Sequence, residues 1–381
     1  MKMNTHTTKN RGIVLWFAAA GLVLMACGCP RPGKVRAEID QDLCQPVTSA
    51  GVTFRVEDGM AVFRRVEPGI LELWESVPVI RIFAQAAAGS TLDWSITISN
   101  CMPGAQMSAQ TSGGTPLLVS LAATPIPTRK QWNITLLDGD DAVITVGPPD
   151  RDVQDAFHFA WLSDIQEAID HLPEFIAHMN ADSDLRFVLS GGDLCVERRS
   201  RRNRLLLIQQ MLESLDIPFY SVPGNHDIEG TNEPWRDLFG RNNIFFRFKG
   251  VHYVGIDSAS ATIDPVVYKW LDDRLLPAAD PGMCVYFMHI PPFDPEGDRQ
   301  VGFTTRKEAA KLISLLVEYD VDICFYGHIH TYVAYSNGGI PAYLSGGGGA
   351  EPVGIDGIGR HYLKIEIDTS QIYSVGLVRM E

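Results

Sequence analysis

Phe219-Tyr220-Ser221-Val222-Pro223-Gly224-Asn225-His226-Asp227 is a short, mainly apolar run that stops at a proline and a glycine. It then delivers an amide, an imidazole and a carboxylate in succession. Apolar runs bounded by Gly and Pro read as buried strands. Polar residues just past the carboxyl end of such a strand lie where an α/β sheet meets its ligand. The pattern recurs on both sides. Ala156 to Ser163 runs into Asp164-Ile165-Gln166, and Phe187 to Ser190 into Gly191-Gly192-Asp193. Cys284 to Met288 runs into His289-Ile290-Pro291-Pro292, and Val321 to Tyr326 into Gly327-His328-Ile329-His330. Five strands thus bring Asp164, Asp193, Asn225, His289, His328 and His330 towards one crevice.

Between these runs the apolar residues change to helical spacing. Ile169, Leu172, Phe175, Ile176 and Met179 share one face, and Leu205 to Leu215, Val266 to Leu276 and Lys307 to Tyr319 read as helices. Val251 to Ile256 is a further strand, and Ile340 to Leu344, Tyr362 to Ile367 and Ile372 to Val378 close the chain as hairpin-like strands. Strands alternating with helices make 155–381 an α/β domain. No repeat of about 20 to 50 residues is present.

The preceding stretch differs. Val52-Thr53-Phe54-Arg55-Val56, Val79-Ile80-Arg81-Ile82-Phe83, Trp94-Ser95-Ile96-Thr97-Ile98 and Trp132-Asn133-Ile134-Thr135-Leu136 alternate apolar and polar residues. Residues 44–147 therefore read as a small all-β sandwich of the immunoglobulin-like kind. It shows no ligand constellation and reads as a spacer or binding domain. Gly147-Pro148-Pro149-Asp150 is the linker.

Residues 1–26 lie outside the fold. Lys2, Lys9 and Arg11 precede an apolar run, Ile13 to Ala26, of secretory length and short for a membrane span. It ends in Leu24-Met25-Ala26-Cys27, which resembles the lipobox of bacterial lipoproteins. The resemblance implies a signal peptide cut before Cys27, lipid on that cysteine and attachment to a bacterial membrane on the exported side. The alternatives are an uncleaved anchor or ordinary cleavage nearby. Gly28, where Asp would favour the inner membrane, leans towards the outer membrane if the cell is Gram-negative. Pro30, Pro32 and Gly33 with the mixed charges to Asp42 make 27–43 a tether.

The chain has 381 residues, enough for two domains, and its 45% apolar share supports a sizeable core. The formal charge is −14, and removing the first 26 residues leaves −17. Such a body repels duplex nucleic acid. It does not exclude a small phosphorylated substrate, because bound metal ions dominate the local field. Of the seven cysteines, Cys44 and Cys101 lie in the β module, where export permits a disulfide that spacing alone does not decide. Cys195, Cys284 and Cys324 sit in or beside apolar strands and read as buried hydrophobes.

The donor set has its own chemistry. Two divalent ions about 3.5–4 Å apart need a shared anionic ligand, and Asp193 is placed to bridge them. Imidazole and carboxylate suit zinc, manganese and iron. The ordered series Asp164-x-Gln166, Gly192-Asp193, Gly224-Asn225-His226-Asp227, His289 and Gly327-His328-x-His330 resembles the calcineurin-like metallophosphoesterases over roughly residues 155 to 381. The resemblance implies a two-sheet αββα sandwich and a hydrolase of phosphate mono- or diesters. It implies one metal on Asp164, Gln166, Asp193 and His330, and another on Asp193, Asn225, His289 and His328. A water or hydroxide between them would attack phosphorus in line. His226 would contact the phosphate and protonate the leaving alkoxide, with Asp227 orienting the imidazole. Exported nucleotides, sugar phosphates or lipid head groups are the substrates this suggests. Gln166 stands where the family usually has His. An amide oxygen is a poorer zinc ligand, which turns that site towards manganese, magnesium or iron and weakens it. A surface-anchored binding protein with a vestigial metal site, and a protein phosphatase, remain as alternative readings.

Three other features stay open. Arg198, Arg199, Arg201, Arg202 and Arg204 form either a solvated helix face or a guanidinium rim for an anionic substrate. Trp235 to Phe248 either packs over a sheet edge or lines a cleft. Gly346 to Gly349 let a loop pass near the metals. His158, His171, His178, His252 and His361 fall outside the motifs and read as ordinary strand or helix residues.

Overall fold

The computed structural model describes residues 32–380, apart from 91, 197–199, 229–232, 276–281, 298–300 and 354–356. The expected signal peptide, the expected lipidation site Cys27, and Arg198 and Arg199 lie outside the described residues.

Two five-stranded sheets form the N-terminal module. One runs in space Val47–Ser49, Val52–Val56, Ile80–Ala86, Asp141–Gly147, Gln106–Thr111. The other runs Ala61–Glu67, Ile70–Glu75, Asp93–Ser99, Arg129–Thr135, Val119–Ile126. Period-two patterning drives their packing: in Ile80–Ala86 the residues Ile80, Ile82, Ala84 and Ala86 are buried while Arg81 and Gln85 face water. The pair Ile70–Glu75 and Asp93–Ser99 is parallel.

Two further sheets form the second module. The first runs Phe219–Ser221, Leu185–Ser190, Phe157–Trp161, His361–Ile367, Ile372–Arg379. The second runs Ile244–Phe248, Val251–Ile256, Cys284–Met288, Ile323–Tyr326, Ile340–Ser345, Tyr332–Asn337. Phe157, Phe159 and Trp161 point between the sheets, while Ala160 and Leu162 face the outer layer with Phe175 and Leu205 from the helices Leu172–Asn180 and Arg201–Leu212. Phe159 stacks on Phe187 at 5.6 Å and meets Tyr253 and Phe325 of the opposite sheet edge-on at 5.6 and 5.9 Å. Burial on both faces explains why these strands read as continuous apolar runs. The central pairs are parallel, so their carboxyl ends share one edge.

Several expectations change. Residues 32–41, expected within the tether, form the helix Pro32–Gln41. Its Arg36 Nε lies 2.6 Å from Asp257 Oδ2, and its Asp40 Oδ2 accepts from Arg241 at 3.1 Å and Asn243 at 2.9 Å, all buried. Cys101 is a free, buried thiol 3.4 Å from the Thr128 carbonyl, so the Cys44–Cys101 disulfide is not formed. Tyr332–Asn337 is a strand that the pattern did not reveal, and the helix expected from Ile169 opens as a 3₁₀ turn, Gln166–His171. Trp235 to Phe248 divides into the helix Glu233–Phe239 and the edge strand Ile244–Phe248.

The modules are joined through polar clasps. Asn100, at φ 61°, accepts from the Phe219 N–H at 2.8 Å and donates to its carbonyl at 2.9 Å. It pairs with the edge of that strand as a neighbouring strand would. In the linker, Asp150 takes both arms of Arg186 at 2.7 and 3.0 Å.

Candidate metal centre

Asp164, Gln166, Asp193 and His328 have positive φ, at 67°, 49°, 53° and 74°. Side chains rarely adopt this region, and such strain gathers at functional sites. Here it swings each side chain over the sheet edge as the strand ends. The loops are laced together: the Asp164 N–H donates to Gly192 O and the Gln166 N–H to Asp193 O, both at 3.0 Å. Asp164 accepts the His328 N–H at 3.0 Å. A Cβ on Gly224 would strike the Asp193 carboxylate, so only glycine lets the two loops meet. The loop at Gly346 passes beside the site, where an added Cβ would lie 2.9 Å from Asp164 Oδ2.

Asp193, His289 and His328 offer ligand atoms that all lie within 4.8 Å of one another. His289 Nε2 is 3.2 Å from Asp193 Oδ2 and 3.1 Å from Asn225 Oδ1. Donor atoms around one ion at about 2.1 Å stand about 3.0–3.4 Å apart, so His289, Asp193 and Asn225 are spaced as ligands of one divalent ion, with His328 close by. The electrostatics agree. Burial alone would lower the His289 pKa, yet the Asp193 and Asp164 carboxylates raise it to about 9. The carboxylates thus hold a positive charge at this spot. Burial and the charge on His289 push His328 down to about 3, leaving it a neutral donor.

The other expected position is looser. Asp164 Oδ1 lies 3.6 Å from His330 Nε2. Burial raises the Asp164 carboxyl despite the neighbouring imidazoles. Gln166 is buried at the site, with its Nε2 2.9 Å from Asp193 Oδ2 and 3.2 Å from His330 Nε2. The acidic and imidazole donors fit an ion, whereas the amide presents nitrogen where a ligand oxygen was expected.

His226 is partly open to solvent, its side chain 38% accessible and its Nε2 4.0 Å from Asp193 Oδ2. Its backbone is fixed at both ends: the N–H donates to Asp193 Oδ1 at 2.8 Å and the carbonyl accepts from Arg201 Nε at 3.0 Å. Asp227 does something other than expected. One carboxylate oxygen accepts the N–H groups of Leu194 and Cys195 and the other that of Gly224. It clamps the Asp193 loop to the Asn225 loop and does not hydrogen-bond the His226 imidazole.

The arginine cluster disperses. Arg201 is buried beneath His226, Arg202 pairs with Asp237, and Arg204 lines a small cavity beside Gln166 and Cys195. Arg201, expected on a solvated face or an anion-binding rim, is instead buried and holds the His226 carbonyl; its helical spacing with Leu205, Ile208 and Leu212 on the buried face was the signal for this. Sequence reasoning missed Ser258, just past the strand Val251–Ile256, whose Oγ accepts the N–H of Ile290 at 2.7 Å beside His289. His361, outside the motifs, is buried between Ser345 Oγ and the Gly359 carbonyl.

Residues 157–332 match the family model described as calcineurin-like phosphoesterase. Among solved structures the chain is similar to a purple acid phosphatase from yellow lupin (Lupinus luteus) seeds, at 12% identity and TM-score 0.50, over 79% of this chain and 72% of that one. It is also similar to a putative 5'-nucleotidase from Staphylococcus aureus, at 13% identity and TM-score 0.41, over 59% of this chain and 54% of that one. At this identity the likeness to the purple acid phosphatase is one of fold alone. No curated protein matches the chain in sequence.

Proposed function

Residues 157–332 form a calcineurin-like phosphoesterase domain, and from that premise we propose that the chain is a metal-dependent hydrolase of phosphate mono- or diesters acting outside the cytoplasm. The observation that carries this reading is the convergence of Asp193, Asn225, His289 and His328, with His226 partly open to solvent beside them. Manganese, iron or zinc suits the donors, with magnesium also admitted. A second ion at Asp164, Gln166, Asp193 and His330 makes the centre dinuclear in this reading. When bound, such ions draw charge from the phosphoryl oxygens and lower the pKa of water.

The chain's own residues supply the rest. Asp193 directs Oδ2 at the metal ligands and spends Oδ1 on the His226 N–H, so the bridging carboxylate and the proton donor are set by one side chain. His226, fixed by its backbone, presents its imidazole to the leaving oxygen and protonates it. Asp227 and Gly224 keep the two loops in register.

Export and lipid attachment at Cys27 belong to the same proposal and rest on the basic, apolar and cysteine pattern of residues 2–27. Small phosphorylated molecules or lipid head groups then become the substrates. Detergent partitioning of the full chain against Cys27→Ser tests the anchor, since a variant that still partitions with detergent counts against it.

The test of activity uses p-nitrophenyl phosphate and bis-p-nitrophenyl phosphate with the soluble chain beginning at Pro30. Each is measured after chelation and re-addition of manganese, zinc, iron or magnesium. Turnover that needs both metal and Asp193 supports the proposal, and the preferred ester separates monoesterase from diesterase. No turnover by folded protein with any metal favours the surface-anchored binding protein.

A further inference from the structure

We infer that the metal centre is asymmetric: Asp193, Asn225, His289 and His328 hold one ion tightly, and the amide of Gln166 competes with a labile second ion for Asp193 and His330. The inference rests on reading the strand edge as a metal centre.

The hydrogen-bond network fixes the orientation of the amide. His330 Nδ1 lies 2.7 Å from the Glu351 carbonyl oxygen. A carbonyl only accepts, so Nδ1 carries a proton, and in the neutral ring that can bind a metal Nε2 presents a lone pair. Gln166 Nε2 lies 3.2 Å from that lone pair and 2.9 Å from Asp193 Oδ2, which as a carboxylate oxygen also only accepts. With acceptors on both sides, the NH₂ end of the amide, not its oxygen, faces the centre. Its two N–H donors thus satisfy the two lone pairs that an ion at the first position would use.

Admitting that ion requires both N–H bonds to break and the amide to turn its oxygen inward. Losing one neutral and one charge-assisted hydrogen bond weakens affinity by roughly 30-fold or more. At the other position no side chain has to turn: His289 Nε2, Asp193 Oδ2 and Asn225 Oδ1 already face one another with the atoms that would bind the ion. Among the described residues, the three-ligand group is Asp193, His289 and His328. Gln166 has somewhere to go, because a cavity of about 70 Å³ lies against it, lined also by Glu167, Cys195 and Arg204. Its backbone is pinned by the 3.0 Å bond to Asp193 O, so the side chain alone moves. Occupancy of the first position then follows the free metal concentration around an exported protein.

Calorimetric titration of the chelated chain with manganese, together with a count of retained metal by mass spectrometry after exchange into metal-free buffer, tests the inference. One retained ion per chain is expected, with a second binding event about 30-fold weaker or more. Gln166→His and Gln166→Glu each replace the twin donor with a ligand and should retain two ions. Two matched sites in the natural chain, or both folded variants keeping its stoichiometry and affinity gap, would overturn the inference. Where a variant fails to fold, the natural chain's titration decides alone. The readout needs no turnover: one tight and one weak ion without hydrolysis counts against the hydrolase and not against the asymmetry, while two matched ions with turnover does the reverse.

Discussion

At the scale of single residues, the site works by fixing backbone so that a few side chains are left free to act. His226 shows this most directly. Its peptide is held by Asp193 on one side and by Arg201 on the other. Arg201 is therefore a positioning residue, and its loss should matter most where the leaving group needs a proton. Arg201→Ala should lower kcat on an alkyl phosphate by about 10- to 100-fold, but on p-nitrophenyl phosphate by less than about 3-fold, because p-nitrophenolate leaves without protonation. KM should change little, and Arg201→Lys should restore part of the rate. Equal losses on the two esters would show that Arg201 only supports the fold. The candidate ligands were legible in sequence because each follows an apolar strand. Arg201 and the clamp by Asp227 were not, since both act through backbone groups that no side-chain motif records.

At the scale of elements, legibility followed apolar content. Strands such as Cys284–Met288 and Val251–Ile256 are buried on both faces and stand out as runs between turns. Tyr332–Asn337 is half-exposed and lost its signal. The helix Pro32–Gln41 hid for another reason: it is held by ion pairs to Asp257 and Arg241, more than 200 residues away in sequence. Charge pairs at such range leave no periodicity. A buried pair that loses one member strands the other charge, at a cost of about 3–5 kcal/mol. Asp40→Ala should therefore destabilise the protein by about 3 kcal/mol, because Arg241 keeps only its bond to the Asp58 carbonyl and its place over Trp270. Urea unfolding at constant m-value measures this. An unchanged midpoint would return the segment to a tether.

At the scale of the whole molecule, the β module braces the second module. Asn100 pairs with both backbone groups of Phe219, six residues before Asn225. Asn100→Ala leaves a buried N–H and a buried C=O unmatched, at about 1–3 kcal/mol each before relaxation. The two modules should then unfold in separate transitions by fluorescence and circular dichroism, where the natural chain is expected to unfold in one; coincident curves in the variant would show that the modules hold together without this clasp.

The linker adds a charge-based brace whose pH dependence has a definite sign. Hydrogen bonds from Arg186, with Lys249 adding to them, hold the Asp150 carboxyl at about 2. In the unfolded chain it titrates near about 4. A carboxyl depressed on folding binds fewer protons in the folded state, so its contribution is complete above about pH 4 and fades as the pH falls towards about 2. The pair is about one-third exposed, and water screens it to about 1 kcal/mol or less. Asp150→Asn should thus cost up to about 1 kcal/mol at pH 7 and almost nothing near pH 2. Urea titrations of chelated natural chain and variant at several pH values give the difference, in which acid effects common to both cancel. A gap that stays constant down to about pH 2 would mean that Asp150 braces the joint through its shape and not its charge.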